Sequence, residues 1–267
     1  MMTIQNYVRP QTLEQAYELL SKNRRNRAVA GMLWLRLTGG SIQTAVDLCD
    51  LGLDTMEETD DAFVIGAMTP LRKLELDPGF AAYTGGAAAR ALGDIVGVQF
   101  RNLATVGGSV FGRFGFSDVL TLLLALDTEV ELYGAGRMPL AEFAELPQTT
   151  RDLLVRIYVK KTPGTVAYRA VRIARTDFPV LTCAASRLDG KVRLCVGARP
   201  GKAMVLDLTD AAAGGLTPDT VQSLAEQAAK QIPTGSNSRG SAAYRSHLVR
   251  VLAERTLSQV GGFGNGD

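Results

Sequence analysis

From Asn102 to Tyr133 the sequence runs through a glycine loop, Ala104-Thr105-Val106-Gly107-Gly108-Ser109, then an apolar helix at Val119 to Leu126, then an alternating strand at Thr128 to Tyr133. Adjacent glycines reach positive φ and let the backbone approach a ligand closely, so consecutive N–H groups can converge on an anion such as a phosphate. Thr105 and Ser109 add hydroxyls. Asp118, an acceptor only when ionised, suits the hydroxyls of a sugar or ribityl chain better than it suits phosphate. The same residues also read as a tight turn followed by a helix N-cap at Ser117. Spacing alone leaves both readings open.

Glycine is in excess, 28 of 267 residues, or about one in ten against the usual ~7%. Pairs fall at Gly39-Gly40, Gly85-Gly86, Gly107-Gly108 and Gly214-Gly215, and the terminal GGFGNGD reads as a frayed tail. The rest of the composition is that of a globular chain, 46% apolar and 21% charged. A formal charge of +2 makes nucleic acid an unexpected partner. Cys49, Cys183 and Cys195 form no C-x-x-C pair and His247 is the only histidine. Disulfide frameworks, metal centres in this chain and most histidine triads therefore lack their parts. Neither G-x-x-x-x-G-K-[ST], nor a dinucleotide G-x-G-x-x-G at a strand-to-helix junction, nor G-x-S-x-G is present. No apolar run is long enough to span a bilayer and the N-terminus does not read as a signal peptide, so a cytoplasmic protein without a membrane partner is expected.

Along the chain, Thr12 and Gln15 have capping-box spacing ahead of Leu13, Ala16, Tyr17 and Leu20, which predicts an amphipathic helix. The basic run Lys22, Arg24, Arg25, Arg27 reads as a solvated loop before a strand at Ala28 to Gly31. A helix-like stretch, Leu33 to Leu37, leads to a strand at Thr44 to Leu48. Glu57 to Asp61 reads as a hairpin tip before the strand Phe63 to Ala67, and a helix is expected over Ala87 to Val96. After residue 150 come four strand-like runs, Val155 to Lys160, Val166 to Ala174, Leu181 to Leu188 and Lys191 to Ala198, the last two joined by the hairpin signal Asp189-Gly190. Two helices follow, one started by Thr217-Pro218 with Val221, Leu224, Ala225 and Ala228 on its apolar face, the other lined by Tyr244, Leu248, Val251 and Leu252. A break near 160–165 separates a first domain, 1–162 with subdomains of about 1–54 and 55–162, from a second, 163–267.

The stretch Arg101-Asn102-Leu103-Ala104-Thr105-Val106-Gly107-Gly108-Ser109 resembles the R-N-x-A-T-[IV]-G-G-N signature of the FAD-binding subunits of molybdenum hydroxylases, the xanthine, carbon monoxide and nicotinate dehydrogenases among them. Ser117-Asp118 before the apolar helix is similar to the family's Ser-Asp pair. Tyr168-Arg169 through Arg172 and Arg175 resembles its basic strand, and Arg239-Gly240-Ser241-Ala242-Ala243-Tyr244-Arg245 its R-x-S-x-x-Y-R ending. The resemblance covers nearly the whole chain, in order. It implies an α+β architecture, an FAD-binding fold of two α/β subdomains followed by a smaller C-terminal domain of antiparallel sheet and helices. It also implies an oxidoreductase subunit that passes electrons from a partner's clusters through FAD to NAD or another acceptor. The molybdenum cofactor would lie in a large partner subunit and the 2Fe-2S clusters in a small one, in a dimer of heterotrimers.

Carried over residue by residue, the resemblance puts the FAD pyrophosphate at Val29, Ala30, Gly31, Met32, Leu33 and Trp34. It puts Ala104, Thr105, Gly108, Ser109, Gly112, Ser117 and Asp118 around the ribityl, phosphate and adenosine parts, with Leu154 and Arg169 nearer the flavin ring and adenine. No residue is assigned as catalytic. Four positions depart from the family: Ala30-Gly31-Met32-Leu33 stands where A-G-G-T or A-G-N-T is usual, so that Met32 and Leu33 differ, Ser109 replaces Asn, and Arg169 replaces a common Lys. Two other readings compete, a flavin-free structural subunit of the same complex and a free-standing flavin reductase. The second would need a catalytic serine and glutamate that this sequence does not match.

Overall fold

The computed structural model describes residues 2–37 and 39–264. Its backbone divides into two compact units, each discontinuous in sequence: Met1–Leu74 with Val98–Gly112 and Thr128–Val159, and Glu75–Gly97 with Arg113–Asp127 and Lys160–Asp267.

The first unit opens with a three-stranded sheet in the order Met2–Val8, Gly40–Asp47, Arg27–Val29, parallel throughout. Parallel neighbours need a crossover, which is the helix Leu13–Lys22. It starts where expected because the Thr12 hydroxyl accepts from the Gln15 N–H while Gln15 Oε1 accepts from the Gln11 N–H, a capping box set back by one residue. Its buried face, Ala16 and Leu20, packs with Val46, Leu48 and Leu153. Such burial stabilises by about 1.5–3 kcal/mol for each large aliphatic side chain. Past the third strand the expected helix over Leu33 to Leu37 is only a single 3-10 turn, Leu35–Leu37; so short a stretch before Gly39 cannot repay helix nucleation. A second sheet has the order Met56–Glu58, Ala62–Gly66, Leu154–Lys160, Thr128–Leu132, Gly136–Pro139. Its first hairpin turns at the expected acidic tip, where Thr59 Oγ1 accepts from the Ala62 N–H at 3.0 Å.

The second unit is built on an antiparallel sheet in the order Met204–Asp207, Lys191–Gly197, Pro179–Leu188, Gly164–Arg172. Asp189 and Gly190 both have positive φ, +46° and +76°, as the tight hairpin requires, and they set Leu188 opposite Lys191. One face of the sheet is covered by the helices Pro218–Gln231 and Ala242–Val260 in a continuous apolar core. The first buries the four residues its spacing named. The second buries Arg245, Leu248, Val249 and Leu252 and leaves Tyr244 exposed, so its stripe is rotated from the expected one by the buried arginine. His247 is exposed.

The helix Asp118–Ala125 packs on the strands Pro179–Leu188 and Lys191–Gly197 and meets the helix Ala87–Gly93. All eight of its residues are buried, which explains an apolar run with no polar face. The helix expected to reach Val96 stops at Gly93, where the Asp94 N–H folds back to the Leu92 carbonyl and Val96 takes φ +50°. At the C-terminus Gly261, Gly262 and Gly264 close the last helix by donating to the carbonyls of Leu257, Gln259 and Ser258; the final three residues of the expected frayed tail lie outside the described residues. No helix among the described residues is long and apolar enough to cross a membrane.

Candidate functional site

Twelve of the fifteen sequence-derived site residues belong to the first unit: Val29 to Trp34, Ala104, Thr105, Gly108, Ser109, Gly112 and Leu154. Val29 is buried at the end of its strand and Leu154 begins a strand, also buried. Gly31 is the pivot. A Cβ there would sit on the Leu103 carbonyl oxygen and lie 3.4 Å from the Ala104 nitrogen, so the first loop touches the signature segment main chain to main chain, and only glycine fits. Met32 follows with φ +56°, the left-handed region that glycine usually occupies. Its side chain packs with Leu35 against the small core of Val29, Ile42 and Ala45. Trp34 sets its ring edge-on to Phe100, with centroids 5.7 Å apart.

The main-chain donors differ sharply between the two loops. In the signature loop the N–H of Val106 donates to the Thr69 carbonyl, Gly107 to Ala67, Gly108 to Thr105 Oγ1 and Ser109 to the Thr105 carbonyl. Of the two readings that spacing leaves open, these amides follow the turn-and-cap one, serving an N-cap and tertiary bonds to the chain at 67–69. Gly107 is required for another reason, because a Cβ would stand 2.5 Å from the Ala67 carbonyl oxygen and 2.7 Å from its Cβ. In the first loop, by contrast, the N–H groups of Gly31, Met32 and Leu33 donate to no acceptor among the described residues. Successive unspent amides on a backbone that enters the left-handed region form a concave anion seat, and backbone donors recognise pyrophosphate whatever side chains they carry. The sequence departures at Met32 and Leu33 thus leave a donor set that fits the phosphates of a dinucleotide such as FAD.

Ser117, Asp118 and Arg169 belong to the second unit. Ser117 caps the helix, accepting from the Leu120 N–H at 3.1 Å, and Arg169 lies half-buried on the strand Gly164–Arg172. Asp118 is buried at the first helical position. Its Oδ1 accepts from the Tyr168 hydroxyl and, at 2.5 Å, from Arg172 Nη2. Burial pushes its carboxyl up to about 6, against the opposing pull of Arg172 and Tyr168. The sequence placed Tyr168 and Arg172 on a basic strand, but their contact with Asp118, across about fifty residues of chain, was not singled out by it. Nor was a cavity of about 220 Å³ in this unit, walled by Phe116, Phe178, Pro179, Pro200, Asn237 and Arg239. Phe116 meets Phe178 edge-on at 4.8 Å, and the Arg239 guanidinium lies 4.8 Å over the Phe178 ring, a setting for a flat, weakly polar guest.

Burial also raises the Cys183 and Cys195 thiols well above their usual range, so neither is a ready nucleophile. No group of three potential metal-ligating side chains occurs among the described residues.

Comparison with known proteins agrees along the chain. Residues 2–160 match the family described as the FAD binding domain in molybdopterin dehydrogenase, and residues 166–260 match the CO dehydrogenase flavoprotein C-terminal domain. The chain is 29% identical over 254 residues to the uncharacterized protein YgfM of Escherichia coli, covering 93% of each. It is 28% identical over 277 residues to the nicotine 6-hydroxylase medium subunit of Paenarthrobacter nicotinovorans, covering 96% of each. Among solved structures it is similar in fold to a chain of carbon monoxide dehydrogenase from Hydrogenophaga pseudoflava, with a TM-score of 0.84, 22% identity, and coverage of 97% of this chain and 98% of that one.

Proposed function

The chain belongs to the family of FAD-binding subunits of molybdopterin dehydrogenases, and from that premise we propose that it is the subunit through which electrons leave such a complex, received from a partner's iron–sulfur clusters and handed to NAD or another acceptor. The observation that carries this reading is the run of unspent amides at Gly31, Met32 and Leu33, which seats the FAD pyrophosphate. Val29 and Ala30 lead the strand into that seat, and Trp34 closes it. Thr105 and Gly108 hold the signature turn in place, and Ser109 donates to the Thr105 carbonyl at 3.0 Å, stiffening the turn beside Ala104. Gly112 ends that short helix. In the second unit Asp118, on a helix capped by Ser117, accepts from cofactor hydroxyls, Arg169 adds positive charge, and the aromatic cavity suits a flat ring. Leu154 adds apolar surface in the first unit.

FAD, when bound, supplies redox chemistry that no side chain of this protein can perform. The protein's part is to orient it and set its electrostatic surroundings. The molybdenum cofactor belongs in this reading to a large partner subunit and the 2Fe-2S clusters to a small one, assembled as a dimer of heterotrimers. The domain organisation proposed with it is 1–162 for cofactor binding and 163–267 for the C-terminal domain.

The test is an absorption spectrum of the purified chain, alone and co-expressed with its partner subunits, followed by release and identification of the bound cofactor. Near-stoichiometric FAD is expected, bleached by NADH under anaerobic conditions if NAD is the acceptor. A colourless chain within an assembled complex would refute the flavin reading and favour a structural subunit.

A further inference from the structure

Asp118 is an unusual place to keep a charge. It is buried, and both donors that reach it, the Tyr168 hydroxyl and Arg172 Nη2, converge on the same oxygen, Oδ1. The Arg172 side chain is itself only 7% exposed, and its other terminal nitrogen, Nη1, donates to the Asp177 carbonyl at 2.8 Å. The guanidinium is thereby fixed from both ends, one on the helix residue and one on the chain leaving the strand. Tyr168 is fully buried, with no freedom to seek another partner. Oδ2, in contrast, receives no hydrogen bond from another residue among the described residues, although a carboxylate oxygen can accept two. A ligand hydroxyl that donates to Oδ2 would complete the set.

We propose that Tyr168 and Arg172 are positioning residues which together hold Asp118 as a carboxylate with Oδ1 occupied, so that Oδ2 alone faces a polyol hydroxyl of the bound cofactor. The inference rests on the reading of Asp118 as a cofactor ligand and extends it to two residues that touch no ligand themselves.

The electrostatics agree with the geometry. Burial lifts the Asp118 carboxyl to about 6, and the largest opposing influence is the Arg172 charge, followed by the hydrogen bonds from Tyr168 and Arg172. An adjacent opposite charge lowers a carboxyl by about one to three pH units, so without Arg172 the group would hold its proton at neutral pH. A protonated carboxyl loses acceptor capacity and attracts a polarised hydroxyl less. Among elements packed on this helix, the strand Gly164–Arg172 contributes Tyr168, Arg169 and Arg172, the strand Pro179–Leu188 contributes Cys183 and the exposed Arg187, the strand Lys191–Gly197 contributes Lys191, Arg193 and Cys195, and the helix Ala87–Gly93 contributes the exposed Arg90. Among the titratable groups of these elements, Arg172 and Tyr168 are those whose charge or hydrogen bond moves Asp118.

The experiment uses the full-length chain stripped of flavin. FAD affinity is measured by fluorescence from pH 5 to 9 for wild type, D118N, Y168F, R172Q and R172K, and the Asp118 carboxyl is titrated by carbon-13 NMR in the same flavin-free proteins. Wild-type affinity should fall as pH drops through about 6, the value to which burial lifts Asp118. R172Q should move both the carboxyl midpoint and the affinity midpoint above 7, weakening FAD at least about twofold at pH 7 yet recovering it at pH 9. Y168F should move both the same way by less, and R172K should restore most of the shift. A structural role alone would change affinity by a factor independent of pH. Such a pH-independent change, or unmoved midpoints in Y168F and R172Q alongside weakened binding in D118N, overturns the positioning roles. Unchanged affinity in D118N overturns Asp118 as ligand while leaving the flavin reading intact. Failure of the wild-type chain to bind FAD at any pH overturns the flavin reading itself. If R172Q does not fold, Y168F and R172K decide the matter.

Discussion

Replacing Arg245 by methionine should cost the protein about 1–4 kcal/mol. The guanidinium is completely buried in the last helix. It donates to the Val180 carbonyl at 2.9 Å, to the carbonyls of Gly235 and Gly240 at 2.8 and 2.5 Å, and to Asn237 Oδ1 at 2.6 Å. None of these acceptors is a carboxylate, so the charge is balanced by four aimed dipoles. Methionine would fill most of the volume but strand the acceptors. Each buried acceptor left without a donor costs about 1–3 kcal/mol. The Gly240 carbonyl keeps a second donor, the Asn237 N–H at 3.1 Å, and Asn237 Oδ1 keeps the Arg239 N–H at 2.9 Å, which reduces the count to two. The relief of removing a buried cation, several kcal/mol in general, offsets part of the sum and gives the stated range. For a chain of this size that is a fall in Tm of about 2–16 °C, measurable by circular dichroism or calorimetry. R245K should fall between the two, because an ammonium keeps the charge but lacks the planar fork that reaches both the strand and the 235–240 turn. A loss below about 1 kcal/mol in R245M would refute the reasoning, since it would mean that the turn carrying Asn237 and Arg239 is held by something other than this side chain.

Gly107→Ala should destabilise by at least about 1–3 kcal/mol, the usual cost of overpacking, because the new methyl meets the Ala67 backbone at 2.5 Å; denaturant unfolding checks it, and a neutral result would show that the 67–69 segment yields freely. Met32→Gly removes a left-handed side-chain conformation worth about 1–2 kcal/mol of strain but gives up its packing on Val29, Ile42 and Ala45, so stability should change by less than about 1 kcal/mol while FAD affinity, read by fluorescence titration, stays within threefold. Asp118→Asn should flatten the pH dependence of stability between about 4 and 6. The folded carboxyl titrates near 6 against 3.8 for its ordinary value, so its stabilising contribution is full below about 4 and is lost as pH rises through about 6. That window corresponds to about 3 kcal/mol, which chemical denaturation at pH 4 and pH 7 would read as a difference between wild type and variant.

Much of the fold could be read from local chemistry. Thr12, Thr217 and Ser241 each cap the helix that follows, and Asp189-Gly190 sets the register of the hairpin between Pro179–Leu188 and Lys191–Gly197. These signals act over a few residues and are written in the sequence. The site was less legible. The Ser117 cap was visible, but nothing near Gly107 reveals that its amide will be taken by Ala67, forty residues upstream. The apolar run from Val119 had no amphipathic face to read because it is enclosed on every side. Phe116, Phe178 and Arg239 lie far apart in sequence and share no motif, so the cavity they line arises only from the folded second unit. The buried stripe of the last helix was displaced because hydropathy placed Tyr244 inside and Arg245 outside, whereas an arginine with four acceptors is the better buried residue.

The first loop departs from the family signature yet keeps its main-chain donors without an acceptor among the described residues. Two facts shape it: Gly31 lies against the Leu103 carbonyl, and Met32 holds φ +56°. The first is steric and admits only glycine. The second is unfavourable for any side chain, yet the methionine side chain lies against Val29, Ile42 and Ala45, and apolar burial of that kind offsets a strain of ~1–2 kcal/mol. A bulky residue can thus take the place of glycine provided that its side chain turns to the core, leaving the amide edge bare. What disappears with the usual threonine at residue 33 is a hydroxyl, a single donor beside three main-chain ones. The backbone path here is fixed by a neighbouring carbonyl and a small core, neither of which a side-chain motif records.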